Sequence, residues 1–225
     1  MAKPKKKLPR PKLTRAQIAE IYAALAKLDP APRTELNYSN PFTLVVAVAL
    51  SAQATDVGVN KATKALFAVA DTPEKMAALG EDTVRGYIKT IGLYRNKAKN
   101  VVALSQMLID EFGSVVPDNR DDLVRLPGVG RKTANVVLNE AFGQPTMAVD
   151  THTFRVSNRT GVAPGKDVLE VELNLLRVTP EQYALHAHHW LILHGRYTCV
   201  ARKPKCYNCA ISGICKFKDK TPAAA

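Results

Sequence analysis

The sequence predicts an all-α protein, and three observations lead to that class. Apolar residues recur at helical spacing along most of the chain, and residues that start or stop helices stand at the ends of those runs. Only "PTMAV", residues 145–149, has an extended pattern, and no period suggests a solenoid. At 225 residues the chain can bury a proper core, as one large domain or two small ones.

The first fifteen residues, "MAKPKKKLPRPKLTR", hold seven basic residues, three prolines and no acid. This composition predicts a disordered basic tail over residues 1–14, serving either as a loose phosphate contact or as a solubilising segment. Thr14 and Gln17 then form a capping box ahead of Ile18, Ile21, Tyr22, Leu25 and Leu28, one apolar helical face. Asn40 and Pro41 open a second helix, whose run from Leu44 to Leu50 is apolar all round, as for an element at the centre of a bundle. A buried strand is the alternative for that run, and the flanking helices argue against it. Further starts stand at Thr55 and at Thr72 with Pro73, while Gly113, Gly143, Gly161 and Gly195 mark helix stops.

The formal charge is +12 and the isoelectric point near 9.6, so an anionic partner is favoured. Beyond the tail the balance is milder, 25 basic against 20 acidic residues. The run from Leu44 to Leu50 is the longest apolar one and is far too short to span a bilayer, and no apolar segment follows the basic amino terminus. These features predict a cytosolic protein with no membrane partner.

The stretch "LPGVGRKTANVVLNEAFGQPTMAVD", Leu126 to Asp150, holds most of the chemistry. It is not a nucleotide-binding P-loop: Gly130 is followed by Arg131, Gly128 lies only two residues earlier, and the preceding "DDLVRL" reads as a short helix. What remains is helix, tight hairpin, helix. The glycines permit close backbone approach, and the N–H groups at the start of the second helix attract phosphate. Ala134, Val137, Leu138, Ala141 and Phe142 form that helix's apolar stripe. At about 100° per residue, Lys132 falls opposite the stripe, together with Val136 and Asn139. Taken alone, Lys132 also fits a solvated surface charge, and Asp150, followed by "THTFRVSNRTG", also fits a helix N-cap.

The four cysteines are Cys199, Cys206, Cys209 and Cys215, spaced C-x6-C-x2-C-x5-C within seventeen residues. In a cytosolic protein such thiols suggest a metal site before disulfides. Zinc usually takes two close pairs and only one C-x-x-C is present, so the spacing leans away from zinc without excluding it. An iron–sulfur cluster is chemically suitable. The surroundings are basic, with Arg196, Arg202, Lys203, Lys205, Lys216, Lys218 and Lys220 against the single acid Asp219. His186, His188, His189 and His194 raise the idea of further ligands, but "YALHAHHWLILHG" equally fits a helix packed near the cysteine loop.

"LPGVGRKTANVVLNEAFG" followed by "VDTHTFRVSNRTG" resembles the helix-hairpin-helix DNA glycosylases. "LSAQATD" (Leu50 to Asp56), "IGLYRNKA" (Ile91 to Ala98) and the terminal cysteines extend the resemblance over nearly the whole chain after the tail. It implies a six-helix domain over residues 34–144 carrying the hairpin, and a 4Fe-4S cluster domain built from residues 15–33 and 145–225. DNA would lie in a cleft flanked by the two, with Lys132 and Asp150 on opposite walls.

The resemblance further implies that Lys132 is a nucleophile and Asp150 the essential carboxylate of a glycosylase and abasic-site lyase. An amine does this chemistry only while neutral, and Arg131, the helix terminus and exclusion of water would each push it that way. Some relatives carry a glutamate just before the hairpin, where this chain has Val124 and Arg125, so the carboxylate role falls to Asp150. Relatives that only remove adenine opposite damaged guanine lack the lysine, and its presence here favours the combined activity. Gln53 would fill the gap left by a flipped nucleotide and Leu93 would wedge from the other side. Gly128, Val129, Gly130 and Arg131 would contact the DNA backbone, and the four cysteines would hold the 4Fe-4S cluster. The expected partner is double-stranded DNA with damaged bases or abasic sites, met by a monomer. A monofunctional glycosylase and a non-catalytic DNA-binding module with a metal-stapled loop are the rival functions.

Overall fold

The computed structural model describes residues 8–223, and among them every regular element is helical. The chain divides into two compact units, residues 34–144 and the segments up to Arg33 and from Pro145 onward. "PTMAV", expected to be extended, has no regular structure and joins no strand among the described residues.

In the unit of residues 34–144, helix α2 (Pro41–Leu50) is the central element, with every residue from Phe42 to Leu50 buried. Its start is fixed by a reciprocal cap, Asn40 Oδ1 accepting from the Thr43 N–H and Thr43 Oγ1 accepting from the Asn40 N–H. Around it stand α3 (Asp56–Val69), capped by Thr55, and α4 (Pro73–Ile88), capped by Thr72 and broken at Gly80, whose φ of 71° no helix accommodates. Helix α5 (Tyr94–Phe112) ends on left-handed Gly113, and the short α6 (Arg120–Leu123) leads to α7 (Arg131–Phe142), which ends on left-handed Gly143.

The other unit begins at α1 (Arg15–Leu28), where the Thr14–Gln17 capping box forms as expected and Ile18, Ile21, Tyr22 and Leu25 are buried. Leu28 departs from the expected face and is 68% exposed, because the helix ends there and nothing covers its last turn. Helices α8 (Thr151–Thr160), α9 (Val168–Val178) and α10 (Ala187–Tyr197) complete the core around Tyr22 and Trp190, whose indole N–H donates to the Asp29 carbonyl. Of the stretch expected to be helical, Tyr183 closes a short 3-10 helix (Glu181–Tyr183), Ala184 to His186 form turns, and α10 starts at Ala187.

Two other expectations need correction. Gly195 does not stop a helix: it lies inside α10, where an added Cβ would stand 2.8 Å from the His152 Cβ of α8. It is small because two helices touch there. Residues 1–7 of the predicted tail lie outside the described residues, but Leu8 to Thr14 are held in place. The Lys12 N–H donates to the Gly161 carbonyl, the Pro9 carbonyl accepts from Asn174 and Arg177, and Leu13 is buried. Apolar anchoring at Leu13 outweighs the charge density that suggested disorder.

Candidate functional site

The hairpin is built from Leu123 outward. Leu123, Leu126 and Val129 are buried, each contributing roughly 1.5–3 kcal/mol to pinning the turn. The Val129 N–H donates to the Leu126 carbonyl, closing the bend, and Gly128 has a φ of 79°. A Cβ at Gly128 would come within 3.0 Å of Asn100 on α5, so this glycine is required twice, by its backbone and by its neighbour. Gly130 occupies the N-cap position of α7, and no side chain caps that helix. Its positive end therefore faces outward with Arg131 and Lys132, both exposed, in the first turn.

Lys132 points away from the packed stripe as the helical spacing predicted. Val136 and Asn139, expected on the same outward side, are buried instead. Beyond its first turn α7 is enclosed on more than one face, with six consecutive residues from Ala134 to Asn139 buried. Only the start of the helix is open, which concentrates exposure at the lysine.

Gln53 and Leu93 share a feature that their sequence positions did not announce. Both have left-handed backbone, φ 54° and 59°, in side chains that rarely adopt it, and both are exposed. A Cβ on Gly92 would meet the Gln53 carbonyl at 3.9 Å, so the two loops are neighbours. Leu93 is 56% exposed, a large apolar side chain held in water.

In the other unit Asp150 is the N-cap of α8, its Oδ1 accepting from the Thr153 N–H at 2.8 Å. That bond fixes the carboxylate's orientation. Lys132 and Asp150 thus belong to different units, each placed at the start of a helix.

Cys199, Cys206, Cys209 and Cys215 are free thiols that line a single pocket with His194, Ile211 and Phe217. Among the described residues no three His, Cys, Asp or Glu side chains converge tightly enough to hold one metal ion. Donors already point at the sulfurs: Arg159 Nη1 at 3.6 Å from Cys199 Sγ and the Phe217 N–H at 3.5 Å from Cys215 Sγ. Burial raises the thiol pKa of both Cys209 and Cys215, and mutual repulsion among the four sulfurs adds to it. Burial also pushes His194 down to about 4, so it is a neutral imidazole, 3.6 Å from Cys209 Sγ. Arg155 and Arg159 tie the loop down by donating to the carbonyls of Cys199, Val200 and Ala201. Neither arginine was singled out from sequence, where both look like surface charge on α8.

Lys97 was also missed. It lies on α5 in line with Val101, Leu104 and Leu108, and it is buried with them. A lysine at an apolar-stripe position was the available signal.

Residues 46–181 match the HhH-GPD superfamily, described as base excision DNA repair proteins. The chain is 56% identical to endonuclease III of Escherichia coli strain K12 over 208 residues, covering 92% of this chain and 99% of that protein. It is 57% identical to endonuclease III of Haemophilus influenzae over 201 residues, covering 89% of this chain and 95% of that protein. Two solved structures superpose with a TM-score of 0.85 at 47% identity, covering 91% of this chain and 96% of each: a trapped endonuclease III–DNA covalent intermediate and a non-covalent endonuclease III–DNA complex.

Proposed function

The chain belongs to the HhH-GPD superfamily of base excision DNA repair proteins, and from that premise we propose that it removes oxidised pyrimidines from duplex DNA and then cleaves the strand at the abasic site. It is a DNA glycosylase and abasic-site lyase. The observation that supports the residue assignment is the position of Lys132, an exposed amine in the first turn of an uncapped helix directly after the glycine hairpin.

In this reading the uncharged Lys132 amine attacks C1′ of the damaged nucleotide, forming a C1′–N bond. The bond to the base breaks, and the base leaves with the electron pair and gains a proton. The ring opens to a Schiff base; loss of a C2′ proton then expels the 3′ phosphate, and water frees the lysine. Asp150 stabilises the cationic character of the sugar. Its cap to Thr153 holds the carboxylate in one orientation. Lys132 is exposed in the protein without DNA, so bound DNA is what excludes water and favours the neutral amine. Gln53 and Leu93 occupy the space vacated by the flipped nucleotide, and Gly128, Val129, Gly130 and Arg131 contact the backbone.

We also propose that residues 34–144 form the hairpin domain and that residues 15–33 with 145–225 form a cluster domain. Cys199, Cys206, Cys209 and Cys215 would hold a 4Fe-4S cluster. Four half-buried thiols around one pocket, with Arg159 and the Phe217 N–H directed at sulfur, suit such a group. When bound it would tie four points of an irregular basic loop together. No helix among the described residues is long and apolar enough to cross a membrane. We further propose that the protein acts as a monomer on DNA in the cytoplasm.

A panel of lesion-bearing duplexes, assayed with wild type and Lys132→Gln, tests this function. The expected result is base release and strand cleavage at oxidised pyrimidines, reduced at least about a hundredfold in Lys132→Gln. Binding of abasic DNA with no turnover, unaltered by the substitution, would identify a non-catalytic DNA-binding module instead.

A further inference from the structure

Lys97 is 7% exposed, and its ammonium is shut off from water with no hydrogen-bond partner. Among the described residues it is the only charged side chain lining a cavity of about 160 Å³ between α2 and α5. Helical side chains lean toward the amino-terminal end of their helix, so Lys97 leans back along α5 toward Leu93. Ala49, Leu50 and Ala52 line the same cavity, and they form the carbonyl end of α2.

That end of α2 is short of donors. The Ser51 N–H and hydroxyl donate to the carbonyls of Ala47 and Val48, and the Ala54 N–H turns back to the Ser51 carbonyl. The carbonyls of Ala49 and Leu50 accept no hydrogen bond among the described residues. A helix's last carbonyls carry partial negative charge, and a cation close by is favourable, most of all where water is excluded. The ammonium makes no direct bond to them, so Lys97 acts on α2 as a charge near its negative pole. Burial lowers the Lys97 pKa, and that pole works in the opposite direction, keeping the proton on.

Three segments proposed to meet DNA converge on this cavity. Gln53 stands three residues beyond the end of α2, and a Cβ on Gly92 would lie 3.9 Å from its carbonyl. Leu93 opens α5 and lines the cavity; Gly128, the bend of the hairpin, lines it too and packs on Asn100 of α5. Gln53 and Leu93 keep left-handed backbones with exposed side chains, so their conformation is fixed from beneath and not by their own packing.

We propose that Lys97 is a positioning residue for lesion recognition: its charge, set against the carbonyl end of α2, fixes the Gln53 loop to the start of α5, so that Gln53 and Leu93 are presented at one spacing. The proposal rests on the DNA-acting function above and adds to it a residue that never touches DNA.

The test uses the full-length protein with two duplexes, one carrying a tetrahydrofuran abasic analogue, which is bound but not cleaved, and one undamaged. Affinities are measured across salt concentrations for wild type, Lys97→Met and Lys97→Arg, with thermal unfolding in parallel. Lys97→Met keeps most of the stem without the charge. It is expected to bind the abasic duplex roughly tenfold more weakly and the undamaged duplex within about twofold of wild type. Its slope of log affinity against log salt should match wild type, because no phosphate contact is lost. Lys97→Arg, which keeps the charge, should recover most of the abasic affinity. In wild type, nuclear Overhauser contacts should join the Lys97 Cε protons to the amide protons of residues 51–53, a reading that decides the matter if Lys97→Met does not fold. A lower melting temperature with both affinities unchanged would identify a lysine that serves stability alone and overturn the proposal. So would equal losses on the two duplexes, a salt slope reduced by about 0.9, which marks a direct phosphate contact, Lys97→Arg as weak as Lys97→Met, or absence of the Overhauser contacts. Failure of wild type to prefer the abasic duplex would instead remove the DNA-acting reading beneath it.

Discussion

Leu93 and Gln53 each hold a left-handed backbone that costs a non-glycine residue roughly 1–2 kcal/mol. Neither side chain recovers that cost by packing, since both are exposed. Leu93→Ala should therefore leave the melting temperature nearly unchanged while weakening binding to an abasic-analogue duplex about tenfold; a packing residue would show the opposite pattern. Tyr22 is the contrasting case of a residue that serves only the core. Burial, partly offset by its hydrogen bond to Thr179, pushes its hydroxyl up to about 12. Between the unfolded value near 10 and that figure, the folded state holds a proton the unfolded chain has lost. Stability is thus complete below about pH 10 and falls as pH rises through about 12, by roughly 2–3 kcal/mol in all. Denaturant titrations of wild type and Tyr22→Phe should show that slope only in wild type. Lys132 and the four cysteines were legible in the sequence because motif and spacing mark them. Lys97 was not: its burial depends on what surrounds α5, which no local pattern records.

Four helix starts could be read directly, because Thr14, Asn40, Thr55 and Thr72 cap by side-chain bonds that local sequence specifies. The starts of α5 and α7 could not be read that way, since Leu93 and Gly130 provide no such bond. The start of α10, at His186, has no side-chain cap either; those of α5 and α7 fall beside residues proposed to meet DNA, where a capping oxygen would compete with phosphate. Gly195 shows the converse limit. A glycine near the end of an apolar run looks like a stop, yet here it lets α10 and α8 touch. Gly195→Ala should lower stability by about 1–3 kcal/mol through overpacking against His152, read as a drop in melting temperature. A helix-stop role would predict little loss, so an unchanged melting temperature would restore the earlier interpretation.

Across the whole molecule, the division into residues 34–144 and the two flanking segments gives each unit a separate source of stability. The first has a fully buried central helix; the second has the Tyr22–Trp190 core and a long irregular loop fastened by Arg155 and Arg159. The purified protein should contain about four iron atoms per chain and absorb visible light. Removing them should raise hydrogen exchange in residues 199–215 first, leaving 34–144 protected; stoichiometric zinc in a colourless protein would contradict the cluster. The central claim concerns one amine, and borohydride reduction of the protein with a duplex containing an oxidised pyrimidine tests it most directly. Wild type should give a reduced protein–DNA adduct whose mass maps to Lys132 and which Lys132→Gln does not form. An adduct of equal yield from Lys132→Gln, or none from wild type where a known lyase traps, would contradict it.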